Sequence, residues 1–330
     1  MTLSTHAATK AAWRRTAAAA IAVARRAVGD HAAVSPASDA ARDEVRSDAA
    51  DAGLRAFRRI VHGRSSARGF RPDAPVPDAV WRDILHMTRT APSGFNLQPT
   101  HVVLLRSPEI KRTLAEHAML GYGNKRRTID ASGIAVFCSD MRPGMRVGRI
   151  HELERDAGAR EDGYLAVMRV ASTFLTGDGG GASSFARRAF ANALSPVRPM
   201  PTMEDVGMWS YKNAGIMSQM YVMAASAHGL STCMMEGYDA RRAMEILRVP
   251  NGRYGVPIMV ATGYERGAPP VAHADPGGEY DEGVDDSRER RRAPRLGMSE
   301  LFFGDTFGEP LDFLLDHDDT SSERENMQRR

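Results

Sequence analysis

The sequence has 330 residues, 42% hydrophobic and 26% charged, which is the balance of a globular chain and ample for one sizeable core. Its formal charge is only +3, from 44 basic and 41 acidic side chains that alternate along the chain, and this speaks against the one-sided basic face of a nucleic-acid binder. No apolar run approaches the roughly 20 residues of a membrane span, and the two cysteines, Cys138 and Cys233, form no CxxC or Cys/His cluster that would suggest a zinc site or redox pair.

Residues 1–50 read as an Ala/Arg-rich N-terminal extension. The run Ala17–Ala24 is apolar, but Arg25 and Arg26 follow where a small-residue cleavage site would stand. An organellar transit peptide shares this composition; the reading preferred is a helical or frayed extension on a cytoplasmic protein. Ser35–Asp39 breaks it. From about Ala41 to Val61 the spacing of Leu54, Phe57, Ile60 and Val61 predicts a helix, with Gly63 as its C′ residue. A second helix is expected over about 78–90, capped by Asp78, with Val80, Ile84, Leu85 and Met87 on its apolar side. His101–Leu105 reads as a strand buried on both faces, 108–119 as a helix, and Gly133–Cys138 as a second strand.

The character changes over 142–206, which reads as an insertion serving as a lid or surface excursion, with helix candidates over 148–159 and 164–175 and a glycine-rich loop at Gly177–Gly181. Residues 210–228 then predict a long helix, apolar on nearly all sides and therefore buried in a core or interface, stopped by Gly229. Ser231–Met235 is strand-like, 239–247 a short helix capped by Asp239, and Val256–Thr262 a strand. Residues 267–290 are expected to be mobile. Order returns over 291–303, and the last residues are polar. The domain expected is 51–310, followed by a polar tail, 311–330.

Two short segments carry most of the chemistry. Arg64-Ser65-Ser66-Ala67-Arg68 sets two guanidiniums and two hydroxyls within five residues, a set suited to a phosphate and an attached polyol. Ala91-Pro92-Ser93-Gly94-Phe95-Asn96-Leu97-Gln98-Pro99 is a turn-rich loop with two side-chain amides, which both donate and accept, as recognition of a heteroaromatic ring edge requires. Met234-Met235-Glu236-Gly237-Tyr238-Asp239 and Pro294-Arg295-Leu296 follow later. There is no GxGxxG after a strand, no GxSxG and no HExxH.

In this order the four segments resemble the signature of the FMN-dependent nitroreductase family, over about 55–140 and 207–303. The resemblance implies an α+β fold with a central, mostly antiparallel sheet flanked by helices, in a domain-swapped type of homodimer with FMN at the interface. It implies that Arg64, Ser65, Ser66, Arg68 and Arg295 hold the FMN phosphate and ribityl chain. Pro92, Ser93 and Asn96 would line the flavin, and the backbone N–H groups of Glu236 and Gly237 would approach its N5 and O4. Hydride would pass from NADH or NADPH to flavin N5 and on to a small-molecule acceptor, a nitroaromatic, quinone or similar electrophile, in a ping-pong cycle. No catalytic side chain and no metal is needed, since the cofactor carries the chemistry. Departures from the family pattern stand at Thr100, where an aromatic is usual, at Met234 in place of proline, and at Ala293 in place of lysine. Three other readings remain open: a same-fold flavoenzyme with different chemistry (reductive dehalogenase, flavin-degrading enzyme or dehydrogenating oxidase), a non-catalytic FMN-binding module, and a membrane-surface or nucleic-acid protein acting through its N-terminus.

Overall fold

The computed structural model describes residues 39–176, 181–202, 204–267 and 294–311. The chain divides into two units, Met1–Pro276 and Gly277–Arg330. In the first, helix α1 (Asp39–Gly63) precedes α2 (Asp78–Thr88), β1 (Thr100–Leu105), α3 (Pro108–His117), α4 (Tyr122–Asp130) and β2 (Gly133–Asp140). Then come α5 (Val147–Asp156), α6 (Asp162–Thr176) and α7 (Gly181–Leu194), followed by α8 (Val206–Ala227), β3 (Ser231–Met235), α9 (Ala240–Ile246) and β4 (Tyr254–Gly263). The four strands form one antiparallel sheet in the order β1-β2-β4-β3. The fold is therefore α+β, as expected.

β2 is central and buried at every residue, so its apolar run Ile134–Cys138 packs on both faces. On one face lie Trp81 and Ile84 of α2 with Ala214, Tyr221, Val222 and Ala225 of α8. Small side chains of α8, Ser210, Ala214 and Ser218, are fully buried and let the helix lie close to the sheet. Tyr221 is anchored there: its ring meets Phe137 edge-on at 5.8 Å, and its hydroxyl hydrogen-bonds Thr262 Oγ1 at 2.9 Å. The other face carries Leu114, Ala118, Met119, Ala243 and Met259. One loop segment completes the β3 edge. Ser66 bridges Thr232 in parallel, and the Ala67 N–H donates to Thr232 O at 2.9 Å.

Several local expectations are corrected. Gly63 is the last residue of α1 and not a left-handed C′ residue; its φ is not among the positive ones. Pro77 holds the N-cap position of α2, and Asp78 is the first helical residue, its carboxylate paired with Arg106 at 2.6 Å. β1 is an edge strand, and His101 to Leu104 are partly or fully exposed because no strand among the described residues covers that side. Helix α4 was not expected, since its sequence YGNKRRTID is too polar to show an apolar stripe. Nor was α7, which follows the glycine-rich stretch, of which 177–180 lie outside the described residues. Asp239 caps α9 as expected, accepting from the Arg242 N–H at 3.0 Å, and Gly229 ends α8 with φ 69°. Residues 1–38, most of 267–290 and 312–330 also lie outside the described residues, and with them most of the expected extension, the expected mobile stretch and the tail.

In the second unit, residues 294–311 include α10 (Met298–Leu301), where the Glu300 carboxylate accepts from the Gly297 N–H at 3.0 Å, and Phe303 packs on Phe307.

Candidate active site

The chain leaves α1 at Arg64 and crosses the edge of β3. Backbone bonds to Thr232 and from the Arg68 N–H to Glu265 Oε1 (3.4 Å) fix this crossing. With its backbone committed there, Arg68 and Ser66 present exposed side chains and Arg64 and Ser65 half-buried ones. Neither guanidinium, Arg64 or Arg68, has a carboxylate partner among the described residues. Helix α4 closes against the same segment. Arg127 Nε donates to Ala67 O at 3.1 Å, and Arg127 Nη1 to Asn124 Oδ1 at 3.3 Å. Arg64 and Arg68 thus belong to the short segment whose backbone Arg127 grips, a set of three cations suited to a phosphate.

The turn after β3 joins this group. The Leu120 N–H and Asn124 Nδ2 both donate to Gly237 O, at 2.9 and 3.2 Å. A Cβ on Gly237 would stand 2.6 Å from Asn124 Nδ2, so any larger residue pushes aside the amide that holds this turn. The N–H groups of Glu236 and Gly237 have no acceptor among the described residues, and Glu236 is exposed. Two adjacent N–H donors, linked through Asn124 and Arg127 to the Arg64–Arg68 segment, have the chemistry to dock an electron-rich heterocycle that carries a phosphate. Asn124 and Arg127 were missed at the sequence level; their i, i+3 spacing would have placed them on one face had α4 been recognised.

Pro92, Ser93 and Asn96 lie elsewhere. Their loop runs into β1, at the opposite edge of the sheet from β3. Three interstrand steps, about 14 Å, separate the two edges. The loop is tightly held. The Gly94 N–H donates to Asn213 Oδ1 at 3.0 Å, and the Gln98 N–H to Ser93 Oγ at 2.9 Å. A Cβ on Gly94 would lie 2.7 Å from the Trp209 ring. Phe95, Asn96 and Gln98 all have positive φ (54°, 53° and 47°), a region that disfavours side-chain-bearing residues and phenylalanine most of the three. The Asn96 amide is used twice: Nδ2 donates to Glu154 Oε1 at 3.0 Å, and Oδ1 accepts from Gln98 Nε2 at 3.2 Å. Behind the loop, a pocket of about 150 Å³ is lined by Pro92 and Ser93 together with Arg89, Arg146, Thr100 and Asn213.

Below this loop the buried carboxylate of Asp140 collects cations: Arg253 Nη2 at 3.0 Å and Arg146 Nε at 3.6 Å. Arg146 also donates to Gln98 O and meets His101 Nε2, and burial together with this guanidinium holds the imidazole pKa below its usual value. Because a guanidinium can only donate, His101 Nε2 is the acceptor in this pair. Both cysteines are buried and free, and burial pushes the Cys138 thiol up to about 11, so neither is poised as a nucleophile. Among the described residues no group of three or more His, Cys, Asp or Glu is placed to hold a metal, and no helix is long and apolar enough to cross a membrane. Arg295 lies in the second unit, its Nη1 donating to Pro294 O at 3.2 Å.

Comparison with known proteins bears on the same residues. The model of the Nitroreductase family matches residues 61–133 and 146–264, which include every expected site residue except Arg295. The second matched stretch runs through 146–206, most of the region expected to stand outside the resemblance. The "NADH dehydrogenase" of Thermus thermophilus is 29% identical over 209 residues, covering 62% of this chain and 86% of that protein. "Nitroreductase NfnB" of Mycolicibacterium smegmatis is 28% identical over 178 residues, covering 54% and 69%. Among solved structures, a nitroreductase-like protein from Streptococcus mutans aligns with a TM-score of 0.50 at 20% identity, covering 69% of this chain and 95% of that one.

Proposed function

The chain belongs to the nitroreductase family, and from that premise we propose that it is an FMN-dependent oxidoreductase passing hydride from NADH or NADPH to an electrophilic small molecule, a nitroaromatic or a quinone. The observation that carries this reading is the donor edge of Glu236 and Gly237, without an acceptor among the described residues and joined through Asn124 and Arg127 to the segment that bears Arg64 and Arg68. These groups fit the cofactor's two ends. The guanidiniums, with Ser65 and Ser66, would neutralise and hydrogen-bond the phosphate and ribityl chain. The Glu236 and Gly237 N–H groups would orient the ring and favour negative charge building on it, as preorganised backbone donors do. FMN, when bound, supplies hydride acceptance and return. Arg295 is proposed as a further phosphate ligand on the family resemblance alone.

Pro92, Ser93 and Asn96 bear on assembly. One copy of the chain puts them at the sheet edge opposite the Glu236 turn. This separation supports a homodimer in which each flavin takes its phosphate cradle from one copy and its covering loop from the other. The side chains required are cations, hydroxyls and amides, with no nucleophile or acid–base pair among them, as suits chemistry carried by the cofactor.

The absorption spectrum of the purified protein tests the reading. A flavin band that bleaches with NADH or NADPH and returns with a quinone is expected, whereas a protein that takes up no FMN would refute it. Arg64→Ala and Arg68→Ala should each weaken FMN binding by about tenfold or more, as removal of a charge-assisted hydrogen bond does.

A further inference from the structure

A groove of about 680 Å³ lies between the Pro92–Asn96 loop and helices α5 and α6, within the size range of small-molecule sites. Its walls include the rings of Phe95 and Tyr164 and the apolar chains of Leu153 and Met168. Two charged residues line it, Glu154 and Arg160, and they are not equivalent. The Glu154 carboxylate is engaged by Asn96 Nδ2 at 3.0 Å and belongs to the loop's own bonding. Arg160 is exposed, its guanidinium lies over the Tyr164 ring at 5.1 Å, and no carboxylate pairs with it among the described residues. Stacking on tyrosine limits the rotamers of the arginine while its edge N–H groups keep their donor capacity. The adjoining acids Glu161 and Asp162 weaken the long-range field but do not line the groove, so what remains is a contact effect.

We propose that this groove receives the electron acceptor and that Arg160, set on Tyr164, selects flat aromatic acceptors carrying an anionic substituent such as a carboxylate. The ring of the acceptor packs between Phe95, Tyr164 and Met168, and its anionic group meets the Arg160 fork in a two-point contact that a neutral analogue lacks. The inference rests on the functional reading above and adds the substrate class. Because Arg160 is solvent-exposed, the discrimination is modest, about five- to tenfold.

The experiment is calorimetric titration of the oxidised, FMN-loaded protein with 4-nitrobenzoate, nitrobenzene and (4-nitrobenzyl)trimethylammonium, repeated as NADH- or NADPH-driven turnover. Wild type should bind the carboxylate about five- to tenfold more tightly than nitrobenzene and the cation least well, with the preference shrinking as salt is raised. Arg160→Gln should bring the carboxylate and neutral affinities together, with the change in KM rather than kcat. Arg160→Glu should reverse the order, and Arg160→Lys should restore part of the preference. A preference absent from wild type, or one that survives in Arg160→Gln, overturns the inference while leaving a flavin-loaded, NAD(P)H-reducible oxidoreductase standing. A protein that binds no FMN overturns both.

Discussion

Asn213 is buried on α8, 4% exposed, and is the tie between that helix and the loop bearing Pro92, Ser93 and Asn96. Its Oδ1 accepts from Gly94 N at 3.0 Å, and its Nδ2 donates to Trp209 O at 2.7 Å. Replacement by alanine leaves the Gly94 N–H without its acceptor in a part-buried site, a cost of about 1–3 kcal/mol. The loop is poised to respond, because three of four successive residues, Phe95, Asn96 and Gln98, sit at positive φ. Each such conformation costs on the order of 1–2 kcal/mol, so the loop is held against about 3–6 kcal/mol of strain by its anchors. Loss of one anchor should let it relax and present Ser93 and Asn96 wrongly. Asn213→Ala is expected to lower stability by about 1–2 kcal/mol, or about 3–6 °C in Tm, and FMN affinity by about tenfold. Thermal melts of the FMN-free protein and flavin fluorescence titration measure the two effects separately. An alanine variant with wild-type Tm and wild-type FMN affinity would refute this account of the loop.

Two further outcomes are expected. Gly237→Ala places a Cβ 2.6 Å from Asn124 Nδ2 and must displace the amide that donates to Gly237 O. Its φ is not positive, so the strain falls on that contact; FMN titration should show about a tenfold loss, with a stability change near 1 kcal/mol in urea melts. The second concerns alkaline pH. Burial raises the Cys138 pKa from 9.0 to about 11, so on raising pH the unfolded thiol ionises first. The stabilisation from keeping it neutral is complete below pH 9, declines between 9 and 11, and is gone above, about 2–3 kcal/mol in all. Urea melts of wild type against Cys138→Ala across that window should converge as pH rises; parallel curves would show that the thiol does not titrate as its burial requires.

Much of this molecule is written in local sequence. Val102–Leu105, Ile134–Phe137 and Val256–Ala261 are β-branched, apolar runs, and the Ala/Met/Ser composition of 210–228 predicts a helix buried on most sides. The Arg64–Arg68 and Pro92–Asn96 segments are likewise legible as local clusters of cations, hydroxyls and amides. Helix α4 is not legible: it is stabilised by docking Thr128 and Asp130 against the core, with Asp130 held by Arg126 and Arg266, contacts that leave no apolar period. Asn124 and Arg127 were lost with it.

The sequence by itself therefore determined the sheet's strands, the buried α8 and the chemical kinds of group available to a cofactor. Only the tertiary structure decided how those groups divide. It gathered Arg64, Arg68, Asn124, Arg127, Glu236 and Gly237 at the β3 edge, left Pro92, Ser93 and Asn96 at the β1 edge, and set Arg160 on Tyr164 across the groove from Phe95. The reason is that side-chain type and backbone period are properties of a few neighbouring residues. Strand order and helix docking, by contrast, are settled by burial summed over the whole chain.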